Sequence, residues 1–465
     1  VFVLLLVERN YTLSQYPLLD LNEFNFMIYF LSTRNHDVSY PQITKEEIIA
    51  YCQDKEILGL DCEFNKLDPY LSTLLLLVIG DTHTQFVIDA TSIDIGFLVP
   101  LAKKRFVGHN IKIDYKICKV NGFEFRNVYD TMIAEQRIGL GSGRKNGLVD
   151  TIQRRLDITL PKDVRSEFIT MDKTSIFLDR HIKYAALDIK YLQPVMEVQN
   201  KYISKFDMSF LLYEIEFPLI AIMGDCDLEG FVMKKTKWKQ IIKENEKKKE
   251  ELVDQMDIEV AKLADQFVSN EIKSKYKRNR NRTTSTQLDV FGPPKVIKHE
   301  SAKALKYSSN AQIKTLFKDL GFEVPTKNGT ETVAVPALEA FLAANPEHVL
   351  TTLLRLYIEH SGIQKQLSTY GESFLEMINP VTNRLHTVFR HCNTDTGRFA
   401  SGNSKEGFPN LQNIPADVKF RHCFGVEEGY EVTTCDLSGA ELVIMVALSG
   451  DKRLLELSKG DMHKM

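Results

Sequence analysis

From Thr44 to about Asn200, short apolar runs alternate with stretches of helical periodicity. Ile57–Leu60 and Leu74–Ile79 are strand-like, a helix is predicted from about Asn110, and another through Tyr184–Gln199. Such alternation predicts an α/β domain. From Phe210 to about Leu356 the pattern is mostly helical, with breaks at Gly292-Pro293-Pro294 and around Asn328-Gly329. Strand-like segments return after Arg384, and residues 431–461 read as a strand followed by a helix. The apolar start Val1–Val7 is too short to span a bilayer and has neither the basic flank nor the cleavage site of a signal peptide. It reads as a strand or helix fragment, and no membrane partner is expected.

Composition narrows the class. A chain of 465 residues, 43% hydrophobic and 26% charged, is expected to be soluble and globular with more than one core. The chain begins with Val1 and stops at Met465 within a helical pattern, so both ends read as cut. Its seven cysteines are odd in number and form no C-x-x-C pair, which argues against a zinc site and a disulfide framework and for a reducing setting. With a net charge of −3, any nucleic-acid surface must be local. Lys234–Glu251 mixes Lys and Glu as a solvated helix does. In KSKYKRNRNR, by contrast, Lys277, Arg278, Arg280 and Arg282 repel one another unless an anion neutralises them. Phosphate contact and a basic loop are both open there.

Three short patterns carry hydrolytic chemistry. Asp61-Cys62-Glu63 follows an apolar run, and on a strand the residues at i and i+2 face the same way. Asp114 lies one turn after Asn110 in a segment that a Gly-to-Asn turn opens as a helix. Tyr184 and Asp188 stand at i and i+4 on one helix face. Four converging carboxylates repel unless divalent metal neutralises them, and paired hard cations are a recurring device for phosphodiester hydrolysis. Mg2+ or Mn2+ suits an all-carboxylate shell.

Together these patterns resemble the D-x-E, N-x-x-x-D and Y-x-x-x-D set of the DEDDy exonucleases, and Phe125–Glu135 resembles the proofreading domain of polymerase I-like enzymes. The resemblance implies a site with two ions: Asp61, Glu63 and Asp188 on one metal, Asp114 helping to hold the second, and Tyr184 orienting water. Asp130 is sufficiently explained as a helix cap. Leu67 matches a position that wedges against the terminal base, and a core leucine is an equal reading.

A second resemblance begins near Phe210. Tyr213–Leu219, Leu228–Phe231 and the helix start at Ser308–Gln312 resemble the opening palm and thumb of family A DNA polymerases. Thr394–Ser401 and Pro409–Pro415 resemble two further segments of that family, in which Arg398, Gln412 and Asn413 would hold the primer–template end without reading its sequence. A polar loop between strands is the alternative for that stretch. Val432–Leu442 resembles the palm's first metal-binding motif, placing Asp436 at a strand end as a metal ligand and Glu441 against a ribose 2′-OH. Leu437 and Gly439 depart from the usual pattern there. His463 resembles the close of that region.

The expected architecture is an α/β RNase H-like exonuclease domain, a mixed sheet with flanking helices, followed by a mostly helical thumb and the start of an α+β polymerase palm. The boundaries read as an unassigned segment 1–45, exonuclease 46–205, thumb with first palm elements 206–385 and partial palm 386–465. Expected partners are a single-stranded DNA 3′ end, a primer–template duplex and, in a full-length enzyme, deoxynucleoside triphosphates, in the cytoplasm of a bacterial or phage-infected cell. Fingers and a second palm carboxylate do not follow His463, so the chain as given is expected to degrade DNA without extending it. A stand-alone exonuclease acting on DNA or RNA conflicts with Thr394–Pro415, and a non-catalytic DNA-binding protein conflicts with the four carboxylates and Tyr184.

Overall fold

The strand that carries Asp61 and Glu63 is central to a six-stranded mixed sheet. The computed structural model describes residues 26–160, 164–267, 305–394, 396–403, 406–437 and 439–457, with a strand pairing of Thr286–Gln287 and Lys295–Val296. Residues 1–25, the Gly292-Pro293-Pro294 break, the basic run with Lys277, Arg278, Arg280 and Arg282, and His463 lie outside the described residues.

The elements of the first domain are β1 (Met27–Leu31), α1 (Lys45–Gln53), β2 (Ile57–Phe64), β3 (Leu74–Gly80), β4 (Thr84–Asp89), β5 (Arg105–Gly108), α2 (Lys112–Val120), β6 (Val128–Asp130), α3 (Thr131–Ile138), α4 (Leu148–Leu156), α5 (Arg165–Phe168), α6 (Asp179–Lys190) and α7 (Leu192–Lys205). Sheet order is β1-β4-β3-β2-β5-β6. β2, β3 and β4 form an antiparallel meander, and β1, β5 and β6 add in parallel. Every residue of β3 is buried, as expected of a strand covered on both faces. Edge strand β1 lies upstream of the boundary read at residue 46.

Two local readings change. The segment read as one helix through Tyr184–Gln199 is two, α6 and α7, joined at Tyr191. Asn110 does not open α2. It sits at φ 64°, the left-handed region an asparagine tolerates, and the helix starts at Lys112 after Ile111. Asp130 fixes this entry. One of its oxygens accepts from the N–H groups of Asn110 (3.0 Å), Met132 (2.8 Å) and Ile133 (3.2 Å), and the other from Ile111 (3.0 Å). One carboxylate thus caps α3 and seats the start of α2. Burial pushes its pKa up to about 6, against those four N–H groups, which favour the charge.

Beyond α7 the chain becomes helical. A π-helical turn, Phe210–Glu216, runs into α8 (Phe217–Glu229), and α9 (Lys235–Phe267) packs along helix Thr351–Tyr370. The Lys/Glu stretch is therefore not solvated all round: Trp238, Ile241 and Ile242 are buried. Trp238 donates to the Tyr370 carbonyl at 2.9 Å and stacks on Phe374. Ser309 caps helix Asn310–Asp319, and Asn328-Gly329, both at positive φ, turn the hairpin Thr326–Lys327/Thr330–Glu331.

A buried ion cluster joins the two parts. Lys112 and Lys116 of α2 both reach the same oxygen of Asp227 on α8, at 2.6 and 3.0 Å, while the other oxygen accepts from the Phe389 N–H at 2.9 Å. Lys112 also donates to the Phe389 carbonyl. Burial brings its pKa down to about 8.

Asp130→Ala leaves four N–H groups without their acceptor. It should lower the unfolding free energy of the first domain by roughly 3 kcal/mol or more, read as a urea midpoint shift at unchanged slope. An unshifted midpoint would show that the cap does not hold α2 and α3.

Candidate active site

On β2, Asp61 and Glu63 face one way and Cys62 the other, where its sulfur lies 3.5 Å from Cys118 of α2. Helix α6 crosses near β2, and Gly59 allows the approach, since a β-carbon there would stand 3.1 Å from Cβ of Ile189. That brings Tyr184 and Asp188, one turn apart, to the acids of β2. Ligand oxygens of Asp61, Glu63 and Asp188 lie within 4.8 Å of one another.

Asp114 enters differently and is not part of that group. β2 pairs with β5 only as far as Gly59, and beyond it the Cys62 N–H donates to Asp114 at 3.0 Å. Burial raises the Asp114 carboxyl well above the usual range, and this N–H works against the rise. Asp61 is likewise held high, first by burial and then by Asp114, Asp188 and Glu63, while Arg165 opposes the shift. The Tyr184 phenol is pushed up by burial and then by Asp188, Glu63 and Asp61, so it keeps its proton at neutral pH.

An all-oxygen donor set under mutual repulsion, with Glu63 and Asp114 buried and Asp61 and Asp188 half-buried, fits hard dications of the magnesium or manganese type. Sequence reasoning missed Arg165, whose positive charge acts on Asp61, Asp114 and Tyr184. It also missed Phe168, buried against the rings of His181 and Tyr184. Both sit on α5, only four residues long and too short for periodicity to announce it. Leu67 is half-buried and lines a cavity of about 600 Å³ between the loop after β2 and a segment including Met377, Ile378 and Phe408.

The downstream motif segments also meet. Phe389–Arg390 pairs with Ala400–Ser401, the Ser401 hydroxyl donates to Asn410 at 2.8 Å, and the Gln412 N–H reaches the Ser401 hydroxyl at 3.2 Å. Gln412 and Asn413 are exposed, and the Asn413 carbonyl accepts from the Tyr370 hydroxyl. Arg398 pairs with Glu441 at 2.5 Å, both exposed. Asp436 is not at a strand end. Residues 431–437 are exposed and form no strand, because no described segment pairs with them, although the expected helix follows as Ala440–Ser449. Asp436 therefore stands apart from any other metal-ligand group among the described residues.

Residues 38–201 match the 3′–5′ exonuclease family, and residues 294–465 match DNA polymerase family A. The chain resembles the family A DNA polymerases that carry a 3′–5′ exonuclease domain, each model matching somewhat more than a third of it. It is 26% identical over 454 residues to DNA polymerase I of Borreliella burgdorferi, covering 90% of this chain and 43% of that protein. Against DNA polymerase I of Chloroflexus aurantiacus the figures are 22% over 440 residues, 88% and 41%. It thus spans less than half the length of these relatives. The polymerase domain of Pol1 from M. smegmatis, solved with DNA primer-template and dNTP, superposes with a TM-score of 0.64 at 18% identity, covering 92% of this chain and 65% of that one. This likeness is one of fold. A family A match at 294–465 removes the stand-alone exonuclease reading.

Repulsion inside the carboxylate group gives a prediction. In EDTA, Asp188→Asn should raise the thermal midpoint of the exonuclease domain by a few degrees, about 1 kcal/mol. Adding Mg2+ should stabilise the parent more than the variant. Equal stabilisation of both would mean that Asp188 does not hold the ion.

Proposed function

We propose that the chain hydrolyses the 3′-terminal phosphodiester bond of single-stranded DNA at Asp61, Glu63, Asp114, Tyr184 and Asp188, as the proofreading part of a DNA polymerase. The observation that carries this is the convergence of Asp61, Glu63 and Asp188 within 4.8 Å on one face of the sheet. Asp61, Glu63 and Asp188 would hold one dication, with Asp114 helping to hold the second. When bound, such ions supply charge that activates water and steadies the leaving oxygen. The chain's own groups do the positioning. Tyr184, kept protonated, orients the water, and the buried walls keep the carboxylates fixed rather than reorganising during the reaction. The water oxygen bonds to the terminal phosphorus, the bond to the penultimate 3′ oxygen breaks, and a 5′-mononucleotide leaves. Leu67 and Asn110 are assigned to the terminal nucleotides.

For synthesis, Arg398, Gln412 and Asn413 are assigned to the primer–template end, Asp436 to the nucleotide's metal, and Glu441 and His463 to the nucleotide. The exposure of Arg398, Gln412 and Asn413 supports duplex contact. No helix among the described residues is long and apolar enough to cross a membrane. The seven free cysteines, two with sulfurs 3.5 Å apart, support a reducing, cytoplasmic setting.

A 5′-labelled single-stranded oligonucleotide should shorten from its 3′ end in Mg2+ or Mn2+. Asp61→Ala and Asp188→Ala should each slow this by about a thousandfold or more, several kcal/mol of barrier, and Tyr184→Phe by roughly ten- to a hundredfold. Full activity in Asp188→Ala would sink the assignment. Lys277, Arg278, Arg280 and Arg282 are proposed to grip duplex backbone. Neutralising them should flatten the salt dependence of DNA binding by about 0.9 in slope per lost phosphate contact, and an unchanged slope would remove them from the interface.

A further inference from the structure

A second group of ligand-type side chains lies far in sequence from the first. Glu216 ends the π-helical turn, and His391-Cys392 follow the strand Phe389–Arg390. One donor atom from each lies within 4.8 Å of the others. The Cys392 sulfur is 3.3 Å and the His391 Nε2 3.6 Å from the same Glu216 oxygen. Around a tetrahedral zinc, with bonds of about 2.3 Å to sulfur and about 2.0 Å to nitrogen and oxygen, neighbouring donors stand roughly 3.3–3.5 Å apart. The two separations from the Glu216 oxygen, 3.3 and 3.6 Å, are close to that spacing.

All three residues are at most 5% exposed. His391 Nε2 is buried and has no hydrogen-bond partner, its carboxylate neighbour being just too far. A hydrogen-bonded contact alone, with the thiol donating to Glu216, leaves that nitrogen unexplained. Burial brings the imidazole down to about 4, so the ring is neutral. Cys392 adopts φ 60°, an uncommon backbone for a residue with a β-carbon and one that concentrates at functional positions. The other Glu216 oxygen is committed to Arg137 of α3.

We propose that Glu216, His391 and Cys392 bind one transition-metal dication of the zinc class where the exonuclease and polymerase segments meet. The mixed sulfur, nitrogen and oxygen set separates this site from the all-oxygen group around Asp61, and selects zinc or cobalt over magnesium. Binding displaces the thiol proton, so one proton is released per ion. Carboxylate and thiolate then face the dication and Arg137. The consequence is mechanical. Gly397 lies so close to Arg137 that a β-carbon would stand 2.4 Å from its Nη1, so an ion here pins the segment leading to Arg398 against α3. Cysteine spacing could not reveal the site, because its ligands come from segments about 175 residues apart (216 to 391).

The test uses the full chain carrying Asp61→Ala, Glu63→Ala and Asp188→Ala, titrated with Co2+ in excess Mg2+. One equivalent should bind with a thiolate-to-cobalt charge-transfer band, which Zn2+ removes. Cys392→Ser should abolish the band, and His391→Gln should weaken Co2+ binding at least tenfold. Absence of the band in the parent overturns the proposal without any variant at Cys392. A band surviving Cys392→Ser overturns it too, and would point to the exposed Cys226 or Cys435.

Discussion

Like charges held together in a largely buried site are the constraint on which this structure depends. Asp61, Glu63 and Asp188, with Asp114 beside them, gain nothing from one another without a cation, and burial makes their charges dearer still. Something rigid must oppose that repulsion. β2 is held along its length by the wholly buried β3, so its two acids cannot swing apart without breaking a ladder. The Asp114 helix is seated by Asp130, and Asp114 itself by the N–H of Cys62. Each acid thus rests on regular structure rather than on a loop, which makes the site preorganised.

The same backbone logic decides what could be read from sequence. Asp61 with Glu63, and Tyr184 with Asp188, are adjacent because strands repeat every second residue and helices every fourth, so those pairs were legible. Asp114 was legible as chemistry but not as geometry: the left-handed Asn110 and the late start of α2 follow from Asp130, which accepts from the N–H groups of Asn110 and Ile111. β5 and β6, of four and three residues, are too short to show a period and exist through their neighbours. Val432–Asp436 has strand composition and no strand, because β propensity is realised only when a partner is present. Arg165 carried no pattern at all.

The junction between the two parts is built from charge. Two lysines of the Asp114 helix meet one carboxylate of α8, and that carboxylate also fixes the strand that pairs with the Arg398 segment. Removing one member would strand the others out of water, so such a cluster tolerates few rearrangements. Asp68 with Asn379, and Tyr70 with the Leu228 carbonyl, add contacts between the first domain and later segments at 2.7 and 2.9 Å. The carboxylate site and the segment carrying Arg398 therefore share a frame.

The π-helical turn Phe210–Glu216 makes chain length itself part of that frame. An α-helix advances about 100° per residue, so a wide turn that absorbs one residue more per turn rotates everything after it by about that angle relative to a plain helix. Glu216 faces Arg137 and Cys392, and Asp227 faces the lysines of α2, in this phase. Loss of one residue from the turn would keep both acids in the chain and point them elsewhere. Among relatives of this chain, an insertion or deletion at this position would be as consequential as a substitution of either acid.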